Sequence, residues 1–501
     1  MKESTLTDIP AVNLTEVESV IKEQAGVRAV AVSPSAMPEG EKLIAYVVPD
    51  YSQLDRIQAS GEEERKRVQK FGRLFDLALK GRNAAPGRNF LGWRSSYTKD
   101  HIPDSEMEEW VDVTVHEILS LGPSEVLEIG CGSGLLLLRL ARGCKRYVGI
   151  DVSAVSLQSV RKQMDELEGP WDGVTLQERP ADDFDGFGED SFDTVIINSV
   201  AQYLPSASYL TRVLESAVRA VRPGGAIFIG DVRNLPLLEA FALSVELFQS
   251  PPASLLTDLR DRLRRRIQQE AELVISPAFF LAFHRHSPKV SRIEIKLKRG
   301  QFENEMTRFR YDVILHLGPS LKDRVELSWL DAEEEHLTLE RIRQILDRQK
   351  PETLAIMRVA NARVEKDVEA LHRLQNSDGH RTVEDLKKEL GSARMHGINP
   401  QALWSLGDEL SYQVDISWVS SRTNGSYDVL FRRSVGPARP HLTAVAWPEP
   451  ATATAGWPLH VNDPRRIALR QDLAVQLSEH CKRRLPEHAV PASFVILDAL
   501  P

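Results

Sequence analysis

The chain has 501 residues, 42% of them hydrophobic and 27% charged, and a formal net charge of −9, the profile of an ordinary globular protein long enough for several cores. The acidic balance, with no long basic run to offset it, argues against nucleic-acid binding, and Cys131, Cys144 and Cys481 are too few and too scattered for a disulfide framework or a metal site. No uncharged apolar run reaches membrane-spanning length and the opening MKESTLTDIP has no apolar signal core, so a cytoplasmic protein without membrane or metal partners is expected.

Taken in chain order, NLTEVESVIKEQ (13–24) predicts a helix capped by Asn13 or Thr15, with Val17, Val20 and Ile21 at helical spacing. Two strand-like runs follow, VRAVAVS (27–33) and KLIAYVVP (42–49). Residues 53–85 turn charged and helical, and NAAPGRNFLGW (83–93) breaks that pattern with Pro and Gly. From residue 105 helices and strands alternate. The helix SEMEEWVDVTVHEILSL leads to the strand EVLEIG, and a helix starting at the glycines leads to YVGIDV. Then come the helix AVSLQSVRKQMDEL, the strands GVTLQER and FDTVIINSV, the helix ASYLTRVLESAVRAV and the strand GAIFIGDV. That rhythm means crossover units and a parallel sheet. After a mostly helical excursion (236–290), SRIEIKLKRG and RFRYDVILHLG read as strands closing one edge of the sheet, as an antiparallel pair. Residues 319–400 read as mainly helical. Residues 400–433 read as helix, strand, turn and strand, with Asn424-Gly425 as a hairpin signal. A Pro/Ala/Thr-rich linker, the helix RIALRQDLAVQLSEHCKRRL and the short strand SFVILDAL complete the chain.

The chemistry concentrates in VLEIGCGSGLLLLRLA (126–141). A glycine-rich turn after a strand lets the backbone bend sharply and approach a ligand closely with its amides. Dinucleotide sites use G-x-G-x-x-G to hold a pyrophosphate. Here the pattern is Glu128-x-Gly130-x-Gly132-x-Gly134, one residue tighter and preceded by an acid. It resembles the first motif of class I S-adenosylmethionine (SAM) methyltransferases, whose cofactor has no phosphate but carries a sulfonium and an ammonium. That resemblance implies that Asp151 accepts the ribose hydroxyls and that Asp182, in RPADDF, accepts from the adenine amine. It also places Asn198 and Ser199, at the end of the fourth strand, beside the methyl-transfer centre. RPGG (222–225) is the turn before the fifth strand. The plainer alternatives are glycines that only permit tight helix–strand packing, a solvated Asp151 at a strand end, and Cys131 as a small filler.

The flanks carry a second resemblance. LPEHAVPASFVILDALP (485–501) is similar to the ninth core motif of nonribosomal peptide synthetase adenylation domains, with His488 and Ala489 in place of Tyr-Met. NLTEVESVIKEQAGVRAVAVS with EKLIAYVVP resembles the segment just after the eighth core motif. These pieces normally lie close together, and here about four hundred residues separate them. NFLGWRSSYT, IPDSEMEEWV, SFDTVIINSVAQYLPS, LKRGQFENEMTRFRYDV, LWSLGDELSYQVDISW and VNDP extend the likeness through the insert. The whole resembles the methyltransferase of an interrupted adenylation domain. The adenylation core and its nucleotide-binding motifs are absent, and the chain stops before the tenth-motif lysine. Amino-acid activation is therefore not expected, whether this is an excised piece or a separate protein.

The resemblance implies an α/β fold of the class I SAM-methyltransferase kind, Rossmann-like, on a mostly parallel seven-stranded sheet. It implies a first part of an adenylation C-terminal subdomain at 1–52, a helical lid at 53–112, the methyltransferase core at 113–318, an α+β extension at 319–435, a linker at 436–460 and the second part of the subdomain at 461–501. The implied activity is SAM-dependent methylation of the α-amine of an aminoacyl or peptidyl group on the phosphopantetheine arm of a peptidyl carrier protein, within a nonribosomal peptide synthetase assembly line. The segment WRSSY (93–97) is expected either as a lid with the Tyr97 hydroxyl pointing inward or as an aromatic clamp for a helix. Gln202 and Tyr203 either line the acceptor pocket or pack. Among Asn304, Glu305 and Arg308, Glu305 either orients the amine or pairs with Arg308 or Arg310. The basic run RDRLRRR (260–266) either steers an acidic carrier protein or forms a solvated helix face. Transfer to a side-chain oxygen or a carbon stays open, as does a remnant, docking or epimerase-like, that no longer uses SAM. Carbon transfer needs a positioned base that the sequence does not plainly show. The intact Glu128/Gly130/Gly132/Gly134/Asp151 set argues against decay, and the loop spacing disfavours a nicotinamide dehydrogenase.

Overall fold

A computed structural model describes residues 13–37, 40–50, 53, 61–79, 85–90, 92–319, 324–325, 327–377, 380–434, 444–450, 460–497 and 500. Most of the expected linker, at 435–443 and 451–459, and the opening decapeptide lie outside the described residues. Among the described residues no helix is long and apolar enough to cross a membrane. The chain divides into two compact units, residues 1–66 with 464–501, and residues 67–463.

The first unit is built from both ends of the sequence. A helix at Leu14–Lys22, capped by the Asn13 side chain, precedes strands Val27–Met37 and Gly40–Pro49, which pair antiparallel. Ser493–Ile496 adds to the second of these in parallel. Val17, Ile21, Val32, Ala45 and Val47 share one core with Leu469, Leu473, Leu477 and Cys481 from the helix Arg466–Arg484.

Helix α1 (Gly61–Leu79) begins before the boundary at residue 66 and continues into the second unit, where α2 (Asp104–Leu119) leads to strand β1 (Glu125–Ile129). The short helix α3 (Leu137–Leu140), β2 (Arg146–Asp151), α4 (Ala154–Glu166), β3 (Val174–Glu178), β4 (Phe192–Asn198), α5 (Ala207–Ala220) and β5 (Val221–Arg233) follow. Strand β4 is buried along its whole length, which its FDTVII sequence allows because both faces of a parallel sheet are covered by helices. Helix α5 is capped by Ser206 and packs Leu210, Val213, Leu214 and Ala217 onto the sheet. Then come α6 (Leu238–Gln249), α7 (Leu256–Gln268), α8 (Pro277–His286), β6 (Val290–Leu297), α9 (Glu305–Phe309) and β7 (Arg310–Leu317). The last part contributes β8 (Trp329–Asp331), β9 (Thr353–Val359), α10 (Glu365–Asn376), α11 (Val383–Ser392), α12 (Pro400–Leu410), β10 (Tyr412–Ser417) and β11 (Tyr427–Arg433).

All eleven strands form one sheet in the order β8-β9-β11-β10-β6-β7-β5-β4-β1-β2-β3. The five strands β1 to β5 pair in parallel, and β7 enters antiparallel between β5 and β6. The order reverses between β1 and β4, and at that point the loops after the two strands diverge and leave a crevice.

The structure corrects four expectations. The seven strands of the expected core do lie side by side, in the order β6-β7-β5-β4-β1-β2-β3, but residues 329–433 add four more to the same sheet, eleven in all. Strands β6 and β7 do not close an edge: β10 is bridged to β6 through Ser417 and Lys296. The mainly helical stretch 319–400 hides β9, whose TLAIMRV reads equally well as helix by composition. The helix expected at the glycines begins only at Leu137 and has four residues, so the loop amides do not sit on a long helix. The Asn424-Gly425 turn does lie between two paired strands, but in a longer connection whose Gly425 is left-handed (φ 69°). A Cβ there would stand 2.5 Å from Val364 and 3.2 Å from Leu237. Gly425→Ala is therefore expected to destabilise this unit by about 1–3 kcal/mol; a chemical-denaturation midpoint equal to the wild type's would show that the connection tolerates a side chain.

Candidate functional site

The crevice at the carboxyl ends of β1, β2 and β4 is a cleft of about 210 Å³ lined by Glu128, Gly130, Gly132, Asp151, Asn198, Ser199 and Tyr203, with Phe71, Phe75, Trp93 and Trp110 among its apolar walls. The glycine turn is shaped for close approach. Gly130 is left-handed (φ 72°), and a Cβ there would lie 2.4 Å from Val200 on the opposite loop. Gly132 (φ 50°) has nothing nearer than 4.0 Å to such a Cβ, so a side chain at this lining position would enter the space meant for a ligand.

The charge in the cleft is set by two acids. Glu128 is 3% exposed, accepts the Tyr147 hydroxyl at 2.8 Å, and is pushed by burial up to about 8. Asp151 is also raised by burial, although main-chain N–H groups pull it down. Its Oδ2 accepts from Gly132 and its Oδ1 from Ser153, both at 2.8 Å. Asn198 Oδ1 is buried with no partner among the described residues. The one lining cation, Arg179, pairs with Asp183. A pyrophosphate would meet two carboxylates here. A cofactor carrying positive charge and hydroxyl or N–H donors finds acceptors instead, so the residues fit SAM.

A second, more polar cavity of about 800 Å³ shares Gly92, Trp93 and Tyr203 with the first. Its other walls include Ser96, Arg233, Phe241, Glu270, Glu272, Glu305 and Arg310. Tyr203 stacks against Phe71 and Phe75 of α1 at 5.4 and 5.3 Å, and burial raises its hydroxyl to about 12. Arg233 is held by Glu270 and Glu272 at 2.8 Å each.

The structure brings Glu128, Gly130, Gly132, Asp151, Asn198, Ser199 and Tyr203 together in the cofactor cleft, and Tyr203 and Glu305 in the second cavity. Gly134 (φ 82°) packs on Val160 and Leu138 just behind the turn. Several other expected site residues line neither cavity. Asp182 is not itself a lining residue but stands at the edge of the cleft: its neighbour Ala181 and Tyr209, whose hydroxyl it accepts at 2.5 Å, both line it, and it pairs with Arg212 at 3.6 Å. Gln202 is 2% exposed and lines neither; it is packed under the turn that its neighbour Tyr203 presents. Asn304 caps α9 and donates to Glu106 at 2.7 Å, a local structural task. The Tyr97 hydroxyl does not point into the cleft: it bonds Ser244 at 2.8 Å, and its ring meets Phe241 and Phe248 edge-on. Trp93 is the residue of the 93–97 segment that lines both cavities. Glu305 pairs with neither arginine; its two oxygens accept Ser96 N–H at 2.7 Å and Ser96 Oγ–H at 2.9 Å, while Arg308 pairs with Asp367. In the basic run, Arg262 and Arg266 bind Glu246, Arg260 binds the carbonyls of Leu374 and Ser377, and Arg264 is a solvated pair with Asp261.

Sequence reasoning passed over Phe71, Phe75 and Asp231. The phenylalanines had a signal, because they recur with Val68 and Leu79 at helical spacing within a charged run. Asp231 had another: it is an acid inside the apolar strand AIFIGDV.

Comparison with known proteins agrees with this geometry. Residues 127–227 match the family model described as a methyltransferase domain. The chain is 34% identical to chondramide synthase cmdD of Chondromyces crocatus over 98% of its own length and 13% of that protein. It is 30% identical to the nonribosomal peptide synthetase dtxS1 of Metarhizium robertsii over 84% of its length and 6% of that protein. The chain thus spans a small part of the curated relatives it matches. Among solved structures, the N-methyltransferase NodS from Bradyrhizobium japonicum aligns over 42% of this chain and 96% of its own, with 16% identity and a TM-score of 0.28. The methyltransferase domain matched at 127–227 is SAM-dependent. It lies within sequence that is similar to nonribosomal peptide synthetases over nearly the whole chain.

Two measurements test the cleft. Asp151→Ala should weaken SAM binding by about 1–3 kcal/mol, the loss of hydrogen bonds to a charged group; calorimetry giving an unchanged affinity would put that carboxylate outside the site. The ligand-free fold favours the neutral Glu128, with its raised value of about 8 against an ordinary 4.5. Its stabilising contribution is therefore complete below about pH 4.5 and lost as pH rises through about 8. A cationic cofactor prefers the ionised form, so SAM affinity should rise from pH 6 to pH 8. Glu128→Gln should flatten that slope, and a slope that persists would assign it to another group.

Proposed function

We propose that the chain methylates the α-nitrogen of an aminoacyl or peptidyl group carried on the phosphopantetheine arm of a carrier protein, in the cytosolic assembly of a nonribosomal peptide. The observation that carries this reading is the junction of the two cavities at Gly92, Trp93 and Tyr203. One side suits the cofactor; on the other, arginines hold Glu246, Glu270 and Glu272, and Glu305 is the lining carboxylate left to accept an N–H donor.

Bound SAM supplies a methyl on an electrophilic sulfonium. An α-amine titrates near ~7.7–8, so a large neutral fraction already has its lone pair free at neutral pH. The protein then has to align, exclude water and accept a proton. Phe71, Phe75, Trp93 and Tyr203 supply the dry wall at the junction. Glu305 is 6% exposed and fixed by Ser96, so its remaining lone pairs can receive an amine N–H without reorganising. Asp151 and Asn198 are proposed to hold the cofactor's sugar and amino-acid ends. The division of residues 53–435 into lid, core and extension is part of the same reading, with residues 1–52 and 461–501 as halves of one adenylation subdomain.

Carrier proteins loaded with a panel of aminoacyl groups, incubated with this chain and SAM, should each be read by intact mass spectrometry. A gain of one methyl localised by fragmentation to the α-nitrogen is expected for at least one. A methyl on oxygen or carbon, or none on any carrier, overturns the reading.

A further inference from the structure

Beside the transfer centre the backbone is strained in two places. Ser199, just beyond β4, and Asp231, in β5, are both left-handed, at φ 57° and 65°. Each such residue costs on the order of 1–3 kcal/mol, and such strain gathers at functional sites. The two are joined. Asp231 is fully buried, and its Oδ2 accepts both Ser199 Oγ–H at 2.8 Å and Arg310 Nη1–H at 2.7 Å. Its own N–H donates to Asp312 at 2.7 Å, and Asp312 also holds Lys298 at 2.8 Å, which pins the backbone at this position. Ser199 lines the cofactor cleft and Arg310 lines the second cavity. One carboxylate oxygen therefore ties a wall of each cavity to the other.

Arg310 is poised rather than spent. Of its five side-chain donors, the described residues take the one bonded to Asp231. The guanidinium lies 5.9 Å from the ring centre of Trp93, at the junction. It shares its cavity with Glu305, five residues earlier, and the negative charges of Glu305 and Glu272 both act on it. A fixed acceptor and a fixed fork of donors thus face one space. An α-aminoacyl group presents the complement: an N–H donor and, one carbon away, a carbonyl acceptor.

We propose that Arg310 is a specificity-determining residue that hydrogen-bonds the acyl carbonyl of the acceptor while Glu305 receives its amine, and that Asp231 is the positioning residue that aims Arg310. This rests on the reading of the chain as an N-methyltransferase of aminoacyl groups. The pair of contacts fixes the nitrogen relative to the cofactor cleft and rejects amines that have no neighbouring carbonyl. The guanidinium stays tolerable in a partly dry cavity because Asp231 already pairs it. A guanidinium has the planar fork for this task, which an ammonium lacks.

The test compares two carrier-bound acceptors: an aminoacyl thioester that the mass-spectrometric assay finds methylated, and the matched aminoalkyl thioether in which the carbonyl is reduced to CH2. The wild type should prefer the thioester. Arg310→Met should lower kcat/KM for the thioester about 10- to 100-fold, mostly through KM, which is the effect of losing one charged hydrogen bond. It should leave the thioether rate and the SAM affinity within about twofold, so the preference shrinks by the same 10- to 100-fold. Arg310→Lys should restore part of it. Asp231→Asn, which keeps an acceptor for Ser199 but removes the charge that pairs Arg310, should erode the preference. If a lone Asp231 left buried by Arg310→Met unfolds the protein, Arg310→Lys carries the comparison, because it keeps the charge and loses the fork. A variant that folds, binds SAM and keeps the full wild-type preference overturns the inference while the N-methyl reading stands. A wild type that methylates another atom overturns both.

Discussion

Two carboxylates on adjacent strand ends, Glu128 and Asp151, set the terms for the rest of the molecule. Strands β1 and β2 pair in register as far as Ile129 and Ile150, which brings the two acids to one edge of the sheet. Burying carboxylates side by side favours their neutral forms, and both are shifted upward. A ligand with positive charge relieves that cost, whereas a phosphate would add to it. The glycine turn is the geometric counterpart, because it lets main chain approach without side chains intervening. Cofactor preference here follows from where charge is absent as much as from where it is present.

Around that edge the chain adds matter for a second purpose. Phe71 and Phe75 of α1, with Trp93, line the cleft. The strands β8 to β11 widen the sheet and stabilise the far cavity. Arg363, 3% exposed, donates to the carbonyls of Lys298 and Gly300 at 2.7 Å, and Arg308 pairs with Asp367 of α10. These contacts brace the loop that presents Glu305. The extension contributes no lining side chain to the second cavity among the described residues and meets its walls through these contacts. The strained, cross-linked pair Ser199–Asp231 completes the frame, and its strain is tolerated because Lys298, Arg310 and Asp312 over-determine it.

Much of this was legible from residues. The alternation of apolar strands with amphipathic helices foretold the parallel half of the sheet, and Glu128, Gly130, Gly132, Asp151, Asn198 and Ser199 do meet in one cleft. Those residues are readable because each follows directly from a local rule: a turn that needs positive φ, or a strand end. The misplacements share a cause as well. Asp182, Gln202 and Asn304 are near the site in sequence, but a neighbour claims each of them: Tyr209, the packed turn and the α9 cap. Tyr97 sits in the right segment, yet its hydroxyl finds Ser244.

Sequence alone determined the glycine turn, the acids at the strand ends and the periodicities of the helices, because these depend on backbone allowed regions and on local patterning. Only the tertiary structure decided that residues 329–433 extend the same sheet and that Trp93 and Tyr203 wall two cavities at once. It also decided that one oxygen of Asp231 joins Ser199 to Arg310. These are pairings between residues as much as 121 positions apart (Lys296 and Ser417), and their energy comes from burial and from partners that no local pattern specifies.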